Sequence, residues 1–211
     1  MIDVLPGVLE KELTIIREKI DIVSPIVSWV HVDVADNTLV PNETFRNFEE
    51  WKGFPEHLSF EAHLMVANPE KYIRPLVDAG FKRLVAHVEC QDPRRFLEDA
   101  QYENVEVGLA LDGPSAVEDL EPFMDEVDAV LLMGIEAGFS GQPFQVDTIE
   151  KIRQLLHSYP EALVEIDGGI NESTGKLVVD AGAKRLVTTS YLFQHQGTES
   201  MKSALNFLSE L

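Results

Sequence analysis

Asp78-Ala-Gly-Phe-Lys-Arg-Leu-Val85 recurs as Asp180-Ala-Gly-Ala-Lys-Arg-Leu-Val187, and this pair decides the fold. Each copy reads as a helix end, a glycine turn that favours a left-handed residue, and the entry to an apolar strand. Outward from these corners, short β-branched runs alternate with longer segments of helical period. Strands are expected at 2–5, 29–34, 58–65, 83–88, 105–111, 129–133, 163–167 and 185–188, so the corners lead into the fourth and eighth. A corner repeated four units apart fits two stacked halves of an eightfold βα barrel. Between strands the spacing predicts helices. The first, over 9–23, sets Leu9, Leu13, Ile16, Ile20 and Val23 on one stripe. Pro69 opens another at its first turn, and Gly80 and Gly182 close two more. The expected class is α/β, a (β/α)8 TIM barrel forming one domain over 1–211.

Composition excludes several functions. The 211 residues carry 17 Lys plus Arg against 37 Asp plus Glu, a net charge of −20, so neither nucleic acid nor an anionic membrane is expected as a partner. With 45% hydrophobic and 26% charged residues, the chain is too apolar to stay disordered. No run approaches the roughly 18 apolar residues of a membrane span. The start, MIDVLPGVLEKE, lacks the basic and apolar regions of a signal peptide. A cytoplasmic protein is expected. The single Cys90 forms no internal disulfide and suits a reducing compartment.

The active site of such a barrel lies at the carboxyl ends of its strands. Strand two ends in His31-Val-Asp33, whose alternation points both side chains to one face. Strand three ends in His63, and strand seven in Asp167-Gly168-Gly169. Singly, an inward His is more often a hydrogen-bonded core residue, and Asp-Gly-Gly a turn. Together they make a nitrogen and oxygen donor set suited to one divalent ion, Zn, Fe, Mn or Co. A second constellation, Gly138-Phe139-Ser140-Gly141 after strand six, Gly168-Gly169, and Thr189-Ser190 opening a short helix after strand eight, offers backbone amides to a phosphate without needing a basic surface.

The blocks His31-Val-Asp-Val-Ala-Asp-Asn-Thr-Leu-Val-Pro-Asn-Glu-Thr-Phe45, Glu61-Ala-His-Leu-Met-Val66, Gly134-Ile-Glu-Ala-Gly-Phe-Ser-Gly-Gln142 and Glu165-Ile-Asp-Gly-Gly-Ile-Asn171 resemble the signature blocks of the ribulose-phosphate 3-epimerase family, in order from about Pro6 to Phe193. The resemblance implies a barrel of the ribulose-phosphate binding type. It implies a divalent metal held by His31, Asp33, His63 and Asp167, with the two aspartates as acid and base, and a sugar-phosphate substrate. His63 and Gly7 join the phosphate loops as substrate-contact positions, and a homo-oligomer is expected. Inverting a carbon beside a ketone needs a proton taken from one face and returned to the other, which two carboxylates three strands apart can do.

Some positions depart from the family pattern. Gly7 stands where a substrate-contacting Ser is usual, Ala35 and Asn37 replace a Met and a Gly, Ser140 replaces a Gly, and Thr189 replaces the Gly of a Gly-Ser pair. All four metal positions are kept, so the departures bear on substrate choice and turnover. Two alternatives therefore stay open: a 3-epimerase of another keto-sugar phosphate such as allulose 6-phosphate, and a sugar-phosphate binding protein with impaired catalysis. Lysine-dependent decarboxylase or Schiff-base chemistry is not expected, because no lysine follows Asp33 and Lys82 and Lys184 enter strands on the amino-terminal side.

Overall fold

Alternation along each strand sends one set of side chains toward surrounding helices and the other into a ring, and the ring closes. A computed structural model describes residues 2–51 and 53–211, in which eight parallel strands form a closed barrel in sequence order. The elements are β1 (Asp3–Val8), α1 (Leu13–Val23), β2 (Trp29–Ala35), β3 (Ser59–Met65), α2 (Glu70–Asp78), β4 (Arg83–His87), α3 (Pro93–Tyr102), β5 (Glu106–Leu111), β6 (Ala129–Met133), α4 (Asp147–Ser158), β7 (Val164–Asp167), α5 (Glu172–Ala181), β8 (Arg185–Thr188), α6 (Ser190–Phe193) and α7 (Thr198–Ser209). Among the described residues no helix is long and apolar enough to cross a membrane.

β1 shows how the ring closes. It pairs with β8 through Asp3, Val4, Leu5 and Pro6, then with β2 through Gly7 and Val8. That handover along one strand is the stagger a tilted barrel requires. It also carries β1 past the expected 2–5, and α1 begins at Leu13 rather than at residue 9.

Two expected α-helices are absent among the described residues. Between β2 and β3 there is only a 3-10 turn at Phe48–Trp51, and between β5 and β6 a 3-10 segment at Val117–Phe123 that contains Pro122. Proline removes a helix donor and clashes with the preceding turn. The 3-10 turn still covers the barrel, because Trp51 packs edge-on against Phe60 of β3 at 5.6 Å and lies 5.2 Å from Phe81. Burying such rings gains about 1.5–3 kcal/mol each, enough to replace a helix as a lid on the sheet.

The alternation separates two cores. Val30, Val32, Val34, Leu64, Leu84, Leu132 and Ile166 face the outer layer. Met65, Val85, Ala110, Leu131 and Met133 fill the barrel, and with Val32 and Val34 outward, His31 and Asp33 point inward.

Candidate active site

His31 and Asp33 lie two residues apart on β2, and Asp33 is in register with His63 of β3. Asp167 is the last residue of β7. Both imidazoles are 0% exposed, whereas Asp33 and Asp167 are 6% and 9% exposed, so only the carboxylates reach the mouth. Nδ1 of His63 lies 3.0 Å from Oδ1 of Asp33 and 3.5 Å from Oδ2 of Asp167. Nε2 of His31 lies 3.4 Å and 3.8 Å from the same two oxygens.

These atoms fit a metal ion. One ligand atom from each of the four residues lies within 4.8 Å of the others. Ligand bonds of about 2.1 Å in a tetrahedron would separate the donors by roughly 3.4 Å, close to the spacings found. Nε2 of His31 is buried and has no hydrogen-bond partner, and a buried polar atom left unsatisfied costs about 1–3 kcal/mol.

Neighbours fix both rings. Nδ1 of His31 donates to Oε1 of Glu61 at 2.6 Å, and Glu61 in turn accepts from Nη1 of Arg83 at 2.7 Å. With its proton on Nδ1, His31 presents the Nε2 lone pair upward. Nε2 of His63 lies 2.8 Å from Nε2 of His87, and Nδ1 of His87 lies 3.1 Å from Oε2 of Glu89. For His63 to offer Nδ1, its Nε2–H donates to His87, whose Nδ1–H then donates to Glu89.

The electrostatics agree. Burial opposes charging His31, but Asp33, Glu165 and Glu61 outweigh it and hold its pKa well above the ordinary value. The same balance, burial against Asp167 and Asp33, raises His63 to about 9. Burial alone would raise Asp33, yet the neighbouring imidazoles of His31 and His63 hold it well below the usual carboxylate range. Burial and then the Glu61 charge push Glu165 up to about 7. Without a cation the site draws protons onto its imidazoles, and a bound cation would displace them.

Above the cluster opens a cleft lined by Asp33, Asp167, Met65 and Met133. Its far wall is the expected amide corner: Gly138, Phe139, Ser140 and Gly141 after β6, Gly168 and Gly169 after β7, and Thr189 and Ser190 after β8. Gly168 has φ +105, and a Cβ there would collide with Ile135. Nδ2 of Asn42 donates to the Gly138 carbonyl at 2.6 Å, tying the β2 loop to the β6 loop. Two expected contact residues stand back from the cleft. His63 is sealed beneath it, and Gly7 lies within β1 under Thr189.

Sequence reasoning missed Glu61, Glu165 and Arg83, which form the buried charged layer below the imidazoles. The signal was present, since Glu61 and Glu165 sit two residues before His63 and Asp167 and so share their inward face.

The model of the "Ribulose-phosphate 3 epimerase family" matches residues 3–193. The ribulose-phosphate 3-epimerase of Schizosaccharomyces pombe is 36% identical over 183 residues, 84% of this chain and 80% of that protein. That of Bacillus subtilis is 31% identical over 214 residues, 98% of this chain and 97% of the other. A solved structure of KGPDC from Streptococcus mutans superposes with a TM-score of 0.75 at 11% identity, over 100% of this chain and 99% of that one; at that identity it shows the fold alone.

Proposed function

The chain belongs to the ribulose-phosphate 3-epimerase family and is an epimerase, and we propose that it interconverts D-ribulose 5-phosphate and D-xylulose 5-phosphate by two-base proton transfer at C3. The observation that carries this reading is the meeting of two carboxylates from β2 and β7 with two imidazoles on the cleft floor. Each carboxylate turns one oxygen to the imidazoles. The other oxygens, Oδ2 of Asp33 and Oδ1 of Asp167, make no hydrogen bond to the described residues.

In the proposed reaction one aspartate removes the C3 proton, giving an enediolate, and the other returns a proton to the opposite face. The roles exchange with the direction of reaction. His31, Asp33, His63 and Asp167 would hold one divalent ion, Zn, Fe, Mn or Co, which supplies Lewis-acid stabilisation of the developing negative charge. Glu61 and His87 keep the two imidazoles in the tautomers that present Nε2 and Nδ1 to it. Backbone amides of 138–141, 168–169 and 189–190 receive the phosphate, which fits a cleft without a lysine or arginine on its wall. Met65 and Met133 line the floor with apolar surface and limit water around the reacting carbon. One barrel unit over 1–211, working in the cytoplasm as a homo-oligomer, completes the proposal.

The test strips the protein with chelator, reloads it with each of the four metals, and follows xylulose 5-phosphate formed from ribulose 5-phosphate, with allulose 6-phosphate in parallel. Metal-dependent product from the pentose is expected. Faster turnover of the hexose would replace the substrate assignment, and no turnover of either with metal bound would point to a binding protein.

A further inference from the structure

Thr189 follows β8 as the N-cap of α6, yet its side chain makes no capping hydrogen bond. An N-cap Thr ordinarily accepts from a backbone N–H of the first turn. Here the hydroxyl has no hydrogen-bond partner among the described residues, and Thr189 lines the cleft that also holds Asp33 and Asp167.

Behind it lies Gly7. Its φ is not among the positive values of the chain, so the backbone there would accept any residue, and what excludes a side chain is space. A Cβ at Gly7 would approach Oγ1 of Thr189 well inside the 3.0 Å that real Cβ atoms respect, with Cγ1 of Val187 at 3.0 Å. Thr189 therefore fills the volume a side chain on β1 would take. The barrel wall between the two carboxylates runs β7, β8, β1, β2, and this pair occupies its middle.

Resting on the sugar-phosphate reading above, we propose that Thr189 is a specificity-determining residue. Its hydroxyl hydrogen-bonds a substrate oxygen on the β8–β1 side of the cleft, and Gly7 is glycine because Thr189 stands in its place. A hydroxyl can reach this point from β8 or from β1, but not from both. The departures at 7 and 189 are thus one exchange rather than two losses.

The test compares the parent with Thr189→Val, Thr189→Gly, Gly7→Ser and the double variant Gly7→Ser/Thr189→Gly, reading kcat, KM and Tm. Thr189→Val keeps the shape without the hydroxyl, so KM for ribulose 5-phosphate is expected to rise about tenfold, the size of one lost hydrogen bond to a polar or charged partner. Gly7→Ser alone is expected to lower Tm through the clash. The double variant should recover about half or more of that Tm loss and move KM back toward the parent, a coupling that independent sites would not show. An unchanged KM in Thr189→Val would overturn the contact. A Tm in the double variant no higher than in Gly7→Ser would overturn the exchange. Absence of turnover in the parent would count against the proposed reaction, while the Tm cycle, which needs no substrate, still decides whether the two positions exclude each other.

Discussion

Asp33 and Asp167 carry the proposed chemistry, so Asn at either position should lower kcat by about 10³-fold or more while the protein stays folded, given that one acid or base group alone contributes about 10²–10⁴. Steady-state kinetics on metal-loaded variants checks this; near-parental turnover by either would remove that residue from its role. His31→Ala and His63→Ala should each weaken metal binding by more than the roughly 10- to 100-fold typical of an outer-shell change, read by competition with a chromogenic chelator. Glu89 gives a pH-dependent signal. Burial works against its charge, but the His87 contact and the Asp112 amide at 2.9 Å hold its pKa at about 2, below the ordinary 4.5. Its folded pKa is depressed, so its charge stabilises the fold above pH about 4.5, and that contribution is lost as pH falls toward about 2. Glu89→Gln should therefore cost stability in urea melts at pH 7 and much less at pH 3; an equal cost at both would contradict the assignment. That His31, Asp33, His63 and Asp167 face inward at strand ends was legible in the sequence, because two-residue alternation locates inward polar groups. The charged layer beneath them was harder to see, because Glu61 and Arg83 meet only through the register of β3 with β4, which no local pattern records.

Among the elements, α5 is the one that shapes the amide corner most directly. Oδ1 of Asn171 accepts from the backbone N–H of Ser173 and of Thr174, and Oγ1 of Thr174 donates to the Gly169 carbonyl at 2.7 Å. The helix cap and the β7 loop are thus one hydrogen-bonded unit. Asn171→Ala should lower stability by about 1 kcal/mol, the usual cost of losing an N-cap. It should also raise KM for the sugar phosphate more than it lowers kcat, because the amides it orients are proposed to receive the phosphate rather than the reacting carbon. A stability loss with KM unchanged would separate the cap from the corner. Elements with strong period and clear caps were legible: β6 and β8 fall at the expected residues, and Gly182 takes the left-handed C-cap at φ 118. The crossovers after β2 and β5 were not, because tertiary packing of Trp51 and the prolines overrode the expectation that every βα unit holds an α-helix.

Across the whole molecule, closure leaves no free sheet edge, so the barrel can tolerate short 3-10 crossovers at two of its connections. Its net charge of −20 adds self-repulsion in the compact state, which salt screens. Raising NaCl from low to about 0.5 M should lift Tm by roughly 3–6 °C, equivalent to about 1–2 kcal/mol in a chain of this size; a falling Tm would show that exposed ion pairs such as Arg74 with Asp78 outweigh the repulsion. The two repeated corners fit the closed ring that the structure shows, although the same turn chemistry also suits an open α/β sheet, so the repeat favoured the barrel without requiring it. The same ring places Asp167 and Asp33 three strands apart around one mouth, and on that placement the proposed two-base reaction depends. The most direct measurement incubates the metal-loaded protein with ribulose 5-phosphate in heavy water and follows C3 by NMR. Deuterium at C3 is expected together with xylulose 5-phosphate, both lost in Asp33→Asn and Asp167→Asn. Xylulose 5-phosphate that keeps its original C3 hydrogen from the first turnover onward would contradict exchange between two solvent-accessible carboxylates.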